Sequence, residues 1–394
     1  LQQSGGDLIL TTNGTGDATV VNNAAIDLGA SNVGGALSAT ASAGTITQNG
    51  GALTVAGTSA FTTSTADQAI TLSNTANALT GAVSLTTSGT AGHVTIDNGT
   101  TALGVQGTVS GDFALTSGEA IIDSAALSVT GTTTVTTDMA DKTITLDTLA
   151  PTGNVILKTS GTAGHVTIDS GTTALGVQGT VSGNLVLTSG EAIIDSDVLT
   201  VTGTTTVTTD VADKAINLGS LASTGTVTLS TLGTSGAATV VNANGLALAG
   251  TVNGDLSATA TTGDISNPGS LTVTGASTLI TAVDGSNVIL DHAGNAFSGA
   301  VTLKADTTGT ETFGNISLVD DSAVKLDADA DAAGDLFIDA GTDGSVGGNL
   351  VVTATTGNIT QGVALGVTGT STLTTAGTDG TITLGTTTNA LGGN

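Results

Sequence analysis

SGTAGHVTIDNGTTALGVQGTVSGDFALTSGEAIIDSAALSVTGTTTVTTDMADK, residues 88–142, returns almost unchanged as SGTAGHVTIDSGTTALGVQGTVSGNLVLTSGEAIIDSDVLTVTGTTTVTTDVADK, residues 160–214. The offset is constant across the pair, the same from His93 to His165 as from Glu119 to Glu191. A fixed period of this size is the mark of a stacked array, in which each unit buries its apolar face against the next because it cannot do so alone. A weaker echo, G-x-I-x followed by L-x-V-x-G-t-s-t, begins at Gly44, Gly118, Gly190, Gly263 and Gly357. The first three of these intervals are nearly equal and the last is longer by about one strand and turn. That excess predicts an inserted coil within 306–343 of an otherwise continuous array covering 1–394.

Inside each unit short alternating strands recur. In HVTID, Val94 and Ile96 share one face and Thr95 takes the other; in TITLD, Ile144 and Leu146 oppose Thr143 and Thr145. No helical period fits. The chain has 58 Gly and 2 Pro, and Thr and Val favour pleated strands, so the glycines punctuate many short strands. With 38% hydrophobic and 9% charged residues it is too apolar for a disordered Gly/Ser tract. The predicted fold is all-β: a right-handed parallel β-helix of about 16 coils of 22–26 residues, three coils to each unit of ~73 residues, spanning roughly 75–80 Å at ~4.8 Å per coil. Aliphatic residues should point inward, and Thr, Ser and Asn outward.

Net charge is −27, from 32 acidic residues against 5 basic ones, all lysine. Without a cationic footprint, nucleic acid and anionic membrane surfaces are excluded as partners. No stretch has the length of a transmembrane helix, and LQQSGGDLILTT at the start carries no signal-peptide pattern, so an export signal would lie outside this segment. Zero Cys removes disulfides, thiol nucleophiles and thiolate metal sites. The lack of Trp and Tyr weakens sugar-stacking readings.

The succession GTITQNGGALTVAGTSAFTTS, QAITLSNTANALTGAVSLTTSG, HVTIDNGTTALGVQGTVSGDFALTSG resembles the repeats of filamentous-haemagglutinin-like exoproteins of Gram-negative bacteria, over nearly the whole chain. The resemblance implies a right-handed β-helix, export through an outer-membrane transporter and display at the cell surface.

Candidate chemistry is sparse. His93 and His165 recur three predicted coils apart, about 14 Å, too far to share one ion, and His292 has no His or Cys neighbour. The strand-end residues Asp97, Asp123, Asp147, Asp169 and Asp195 are expected one coil apart, as a column of carboxylates that repel by roughly 1 kcal/mol per neighbouring pair in water. Solvation relieves that repulsion; calcium is the metal the column would hold, although oxygen-only sites need six or more ligands. A second acidic stretch, Leu326 to Asp343, alternates Asp327, Asp329 and Asp331 without the Gly and Glu of an EF-hand loop. No Walker loop, dinucleotide fingerprint or unique polar constellation is found, so no enzyme and no cofactor is expected.

The reading is an extracellular structural shaft or fibre-forming segment of a surface adhesin. The chain stops at NALGGN (389–394), in the phase of NALTGA (77–82), and starts at GGDLIL, in the phase of GAVSL (81–85), which predicts end-to-end self-association. A host, cell or matrix surface is the further partner. The alternatives are a binding module that uses outward Thr or Asp columns on ice, polysaccharide or a calcium-dependent surface, and a β-helical polysaccharide-degrading enzyme. The absence of Arg, Tyr and Trp disfavours the enzyme.

Overall fold

The computed structural model describes residues 6–283, 285–305, 314–327, 335–339 and 345–392. Among them there is no helix, and the strands are short and pair in parallel. The chain divides into two compact units, Leu1–Glu191 and Ala192–Asn394. Each is a parallel β-solenoid.

In the first unit three columns of paired residues define three faces. One runs Val94, Phe113, Thr133, Val155. A second joins Val83 to Val105, and Gly107 through Leu127 to Leu149. The third runs Leu103, Ile121, Ile144, Val166, Leu185. Alternation decides what is buried: Val94, Ile96, Phe113 and Leu115 are at most 1% exposed, while Thr95 and Ala114 between them are half-buried. The second unit repeats the plan, with Ala238, Leu256, Ser277 and Val301 in one column and Leu246, Ile265, Val288 and Ile316 in another.

Register corrects the expected spacing. Val94 pairs with Phe113 and Phe113 with Thr133, partners closer in sequence than the shortest coil the strand ends suggest. Three turns therefore carry the chain only from Val94 to Val155. One repeat is longer, running from Val83 in GAVSLT to Val155 in GNVILK. The surplus, Val83 to Val94, takes the chain onto the next face. The repeat is thus three and a third turns, not three coils. The second unit agrees: three turns run from Ala238 to Val301, whereas the repeat runs from Val227 to Val301.

Two other expectations change. Small polar residues do not all face out: Asn77, Asn98, Ser117, Thr133 and Thr137 are buried. At corners the backbone leaves the ladder, and its N–H and C=O groups need partners from inside. Asn98 supplies them, accepting from the Leu79 amide at 2.8 Å and donating to the carbonyls of Leu79, Thr101 and Ala102 at 3.2, 3.0 and 2.9 Å. Within 306–343, the strand Asp335–Asp339 lies between Val301–Ala305 and Val324–Asp327, pairing with both. The insertion thus adds a strand to one face; residues 306–313, 328–334 and 340–344, including Asp329 and Asp331, lie outside the described residues.

Candidate functional site

Of the five aspartates singled out by their strand-end positions, Asp195 lies in the second unit, and the four in the first do not form one column. Asp97 pairs across to Thr116, and Asp169 to Thr188. Asp123 falls in register with buried Val105, so it points inward where Asp97 does not. Asp123, Asp147 and Asp169 follow in three consecutive turns of one face, at the ends of the paired strands that carry Ile121, Ile144 and Val166, with Asp123 turned inward and one position out of register with the other two. The physical reason is the fractional turn: copies one repeat apart, such as Asp97 and Asp169, are carried to different faces. Among the described residues no three His, Asp or Glu side chains gather as a metal-holding group.

These carboxylates hold backbone instead. Asp123 accepts the Asp147 amide at 3.0 Å through Oδ1 and the Thr148 amide at 2.8 Å through Oδ2. Its copy Asp195 accepts Gly219 and Ser220 at 2.8 and 2.7 Å. Burial pushes the pKa of both above the usual carboxylate range, against the pull of those amides. Asp97 and Asp169 cap their own turns, accepting from Gly99 at 2.9 Å and Gly171 at 2.8 Å.

The histidines do similar work. Nδ1 of His93 accepts the Asp112 amide at 2.9 Å, and Nδ1 of His165 accepts the Asn184 amide at 2.8 Å. Asp112 in turn accepts from Thr132 at 2.9 Å. Each side chain ties its turn to the next.

The most regular construction is a set of aspartates that the strand pattern does not reveal. Asp67, Asp141 and Asp213 sit at φ 63°, 63° and 62°, in the left-handed region that Asp tolerates better than most residues. Each grips an exposed loop one turn further on: Ser88–Gly92, Ser160–Gly164 and Leu232–Gly236. Oδ1 of Asp67 accepts the amides of Thr90 and Ala91 at 2.6 and 2.8 Å, Asp141 those of Thr162 and Ala163 at 2.6 and 2.8 Å, and Asp213 those of Thr234 and Ser235 at 2.8 Å each. The paired amide hydrogen bonds, Thr90, Thr162 and Thr234 foremost, hold these carboxyls below their usual pKa.

From inside, the hydroxyls of Thr87, Thr159 and Thr231 donate to the carbonyls of Gly92, Gly164 and Gly236 at 2.8, 2.9 and 2.6 Å. Gly89, Gly161 and Gly233 turn the loop at φ 94°, 89° and 90°, and a Cβ there would lie 2.3 Å from the clamping Oδ1. The sequence signal for this clamp is an Asp after Ala, at 67, 141 and 213, with S/L-G-T one turn downstream, starting at 88, 160 and 232.

Elsewhere a shallow groove of about 250 Å³ lies beside Gly104, lined by Thr80, Ala102, Ala120, Ile122 and Ser124, and no titratable side chain lines it. No helix of the described residues is long and apolar enough to cross a membrane.

A three-faced solenoid whose polar side chains bind neighbouring turns defines a tandem-repeat scaffold. Residues 15–86, 91–159, 163–230, 235–304 and 313–394 each match the DUF5649 family, described as repeats of unknown function, and the chain belongs to that family as five tandem copies. Three consecutive copies begin at 91, 163 and 235, each inside a clamped loop. Comparison with curated proteins and with solved structures gives no match.

Proposed function

We propose that this segment is a structural spacer: an extracellular shaft or fibre-forming part of a large surface adhesin, without catalytic activity of its own. The observation that carries this reading is where the polar groups go. Asp67, Asp141 and Asp213, Asp123 and Asp195, and His93 and His165 recur with the repeat and bind backbone of an adjoining turn, the arrangement expected of a chain selected for continuity from turn to turn. Similarity of the repeats to filamentous-haemagglutinin-like exoproteins supports export and cell-surface display. Stacked hydrogen-bonded turns would supply reach and stiffness, with recognition left to other parts of the parent protein.

Deletion of residues 93–164 from the full-length protein tests it. The cut joins Gly92, the end of one SGTAG loop, to His165, which follows the copy of that loop, so the junction is native in sequence. The shortened protein should fold with an unchanged melting temperature, and its reach should fall by about 16 Å, three and a third turns at ~4.8 Å. Loss of an adhesive or enzymatic activity on removing this one repeat would overturn the spacer reading.

A further inference from the structure

We infer that Asp320 is a pH-gated lock built into the fifth repeat: as the neutral acid it closes the corner that leads into Val324–Asp327, and as the carboxylate it releases that corner. Asn22, Asn98, Ser170, Asn242 and Asp320 are the eighth residues of the five matched segments. In the first four repeats this side chain donates to the carbonyl three residues on: Asn22 to Ala25 at 2.6 Å, Asn98 to Thr101 at 3.0 Å, Ser170 to Thr173 at 2.8 Å and Asn242 to Gly245 at 2.8 Å. The contact fixes the corner from inside, on backbone groups that need a partner there. A carboxylate has no proton to give.

Asp320 keeps the accepting half of the arrangement. Its Oδ1 accepts the Phe297 amide of the preceding turn at 3.0 Å, as Oδ1 of Asn98 accepts Leu79 and Oδ1 of Asn242 accepts Ser223, both at 2.8 Å. It also takes the Asp321 amide at 2.8 Å. Oδ2 lies 2.9 Å from Oγ of Ser322, and that oxygen lies 3.3 Å from the carbonyl of Ala323, the residue three on from Asp320. A hydroxyl has one proton to donate. With Asp320 ionised, Ser322 donates it to Oδ2 and the Ala323 carbonyl loses that donor. With Oδ2 protonated from solvent, Asp320 donates to Ser322 and Ser322 donates to Ala323, which completes the contact made in the other four repeats.

Asp320 is 3% exposed, and burial favours its neutral form, against the pull of the Phe297 amide and the Ser322 hydroxyl. The charge of Asp321 beside it acts in the same sense as burial. Of the strands that flank Ile316–Asp320, Leu350–Ala354 carries no titratable side chain, and Val288–Leu290 is followed by Asp291 and His292. Beyond the corner, Lys325 and Asp327 pair with each other. The raised pKa puts closure on the acid side: it is complete below the reference 3.8 and is lost as the pH rises through the folded value. Because Asp335–Asp339 pairs with Val324–Asp327, the lock stands at the root of the insertion.

The inference goes beyond the spacer reading and is tested apart from it. Amide exchange of the full-length protein is read by mass spectrometry from about pH 4 to about pH 9, corrected for intrinsic rates, in peptides covering 316–327. Protection there should fall as the pH rises, by up to about tenfold per pH unit. Asp320→Asn, which restores the side chain of three other repeats, should keep the acid level of protection throughout. Ser322→Ala should show the low level throughout, because the relay is cut. Peptides covering 238–247, around Asn242, should hold one level in all three proteins. A flat or rising profile at 316–327 in the wild type, or the wild-type profile in either variant, would overturn the inference; a shaft with an insensitive corner would still be a spacer.

Discussion

Truncating Ile96 to Ala should cost about 3–4 kcal/mol. Ile96 is 1% exposed and stacked between Leu72 on one turn and Leu115 on the next. The substitution removes three carbons, a transfer loss of about 2.4 kcal/mol at about 0.8 kcal/mol per methylene. Neighbours fixed in hydrogen-bonded strands cannot collapse fully onto the space, and the residual cavity supplies the rest. Ile168, 0% exposed between Leu146 and Leu187, should respond by a similar amount. Thr95→Ala, one position away on the outward face, should change stability by no more than about 0.5 kcal/mol. Urea denaturation gives the totals, and amide exchange should place the loss in the turns next to the substitution, since a repeat contacts only its neighbours. Equal losses at Ile96 and Thr95, or a loss under about 1 kcal/mol at Ile96, would refute the inward and outward assignment.

Thr133 places a buried hydroxyl with no hydrogen-bond partner between Phe113 and Val155. Thr133→Val should therefore raise stability by up to about 1 kcal/mol in a thermal melt, and a clear drop would show that the hydroxyl has a partner. Two sets of carboxylates should shape the acid response in opposite senses. Asp67, Asp141 and Asp213 have folded pKa values below the reference 3.8, so their contribution is complete above that pH and is lost as the pH falls through the lowered values. Asp123, Asp195 and Asp320 are raised, chiefly by burial, so their contribution grows as the pH falls through the raised values and is complete below 3.8. Melts should thus improve on mild acidification and then decline, with the decline smaller in Asp141→Asn; parallel wild-type and variant curves would count against the clamp. Calcium at millimolar concentration and chelator should give the same melting temperature, because among the described residues no three acidic side chains gather as a metal-holding group; a calcium-dependent rise abolished by Asp147→Asn with Asp169→Asn would restore a metal role.

Much of this protein was legible in its sequence because the relevant physics is local. Alternation in HVTID and TITLD sets which residues face in, and Val94, Ile96, Ile144 and Leu146 are buried as their order requires. The constant offset between His93 and His165, with no helical period anywhere, leads to a parallel solenoid. The clamp was partly visible too, as A-D recurring ahead of S/L-G-T, but its meaning depends on a contact a full turn away.

Tertiary structure decided the phase. How much chain a turn consumes depends on corners, where Asn98 and Thr87 fix the path by bonding backbone that no ladder reaches. Those corners shorten the turn enough that one repeat overruns three turns by one face. That one-third turn separates Asp97 from Asp169, while the register with Val105 turns Asp123 inward onto the amides of Asp147 and Thr148. Periodicity along a chain gives the length of a repeat; only the packing of one turn on another gives its angle.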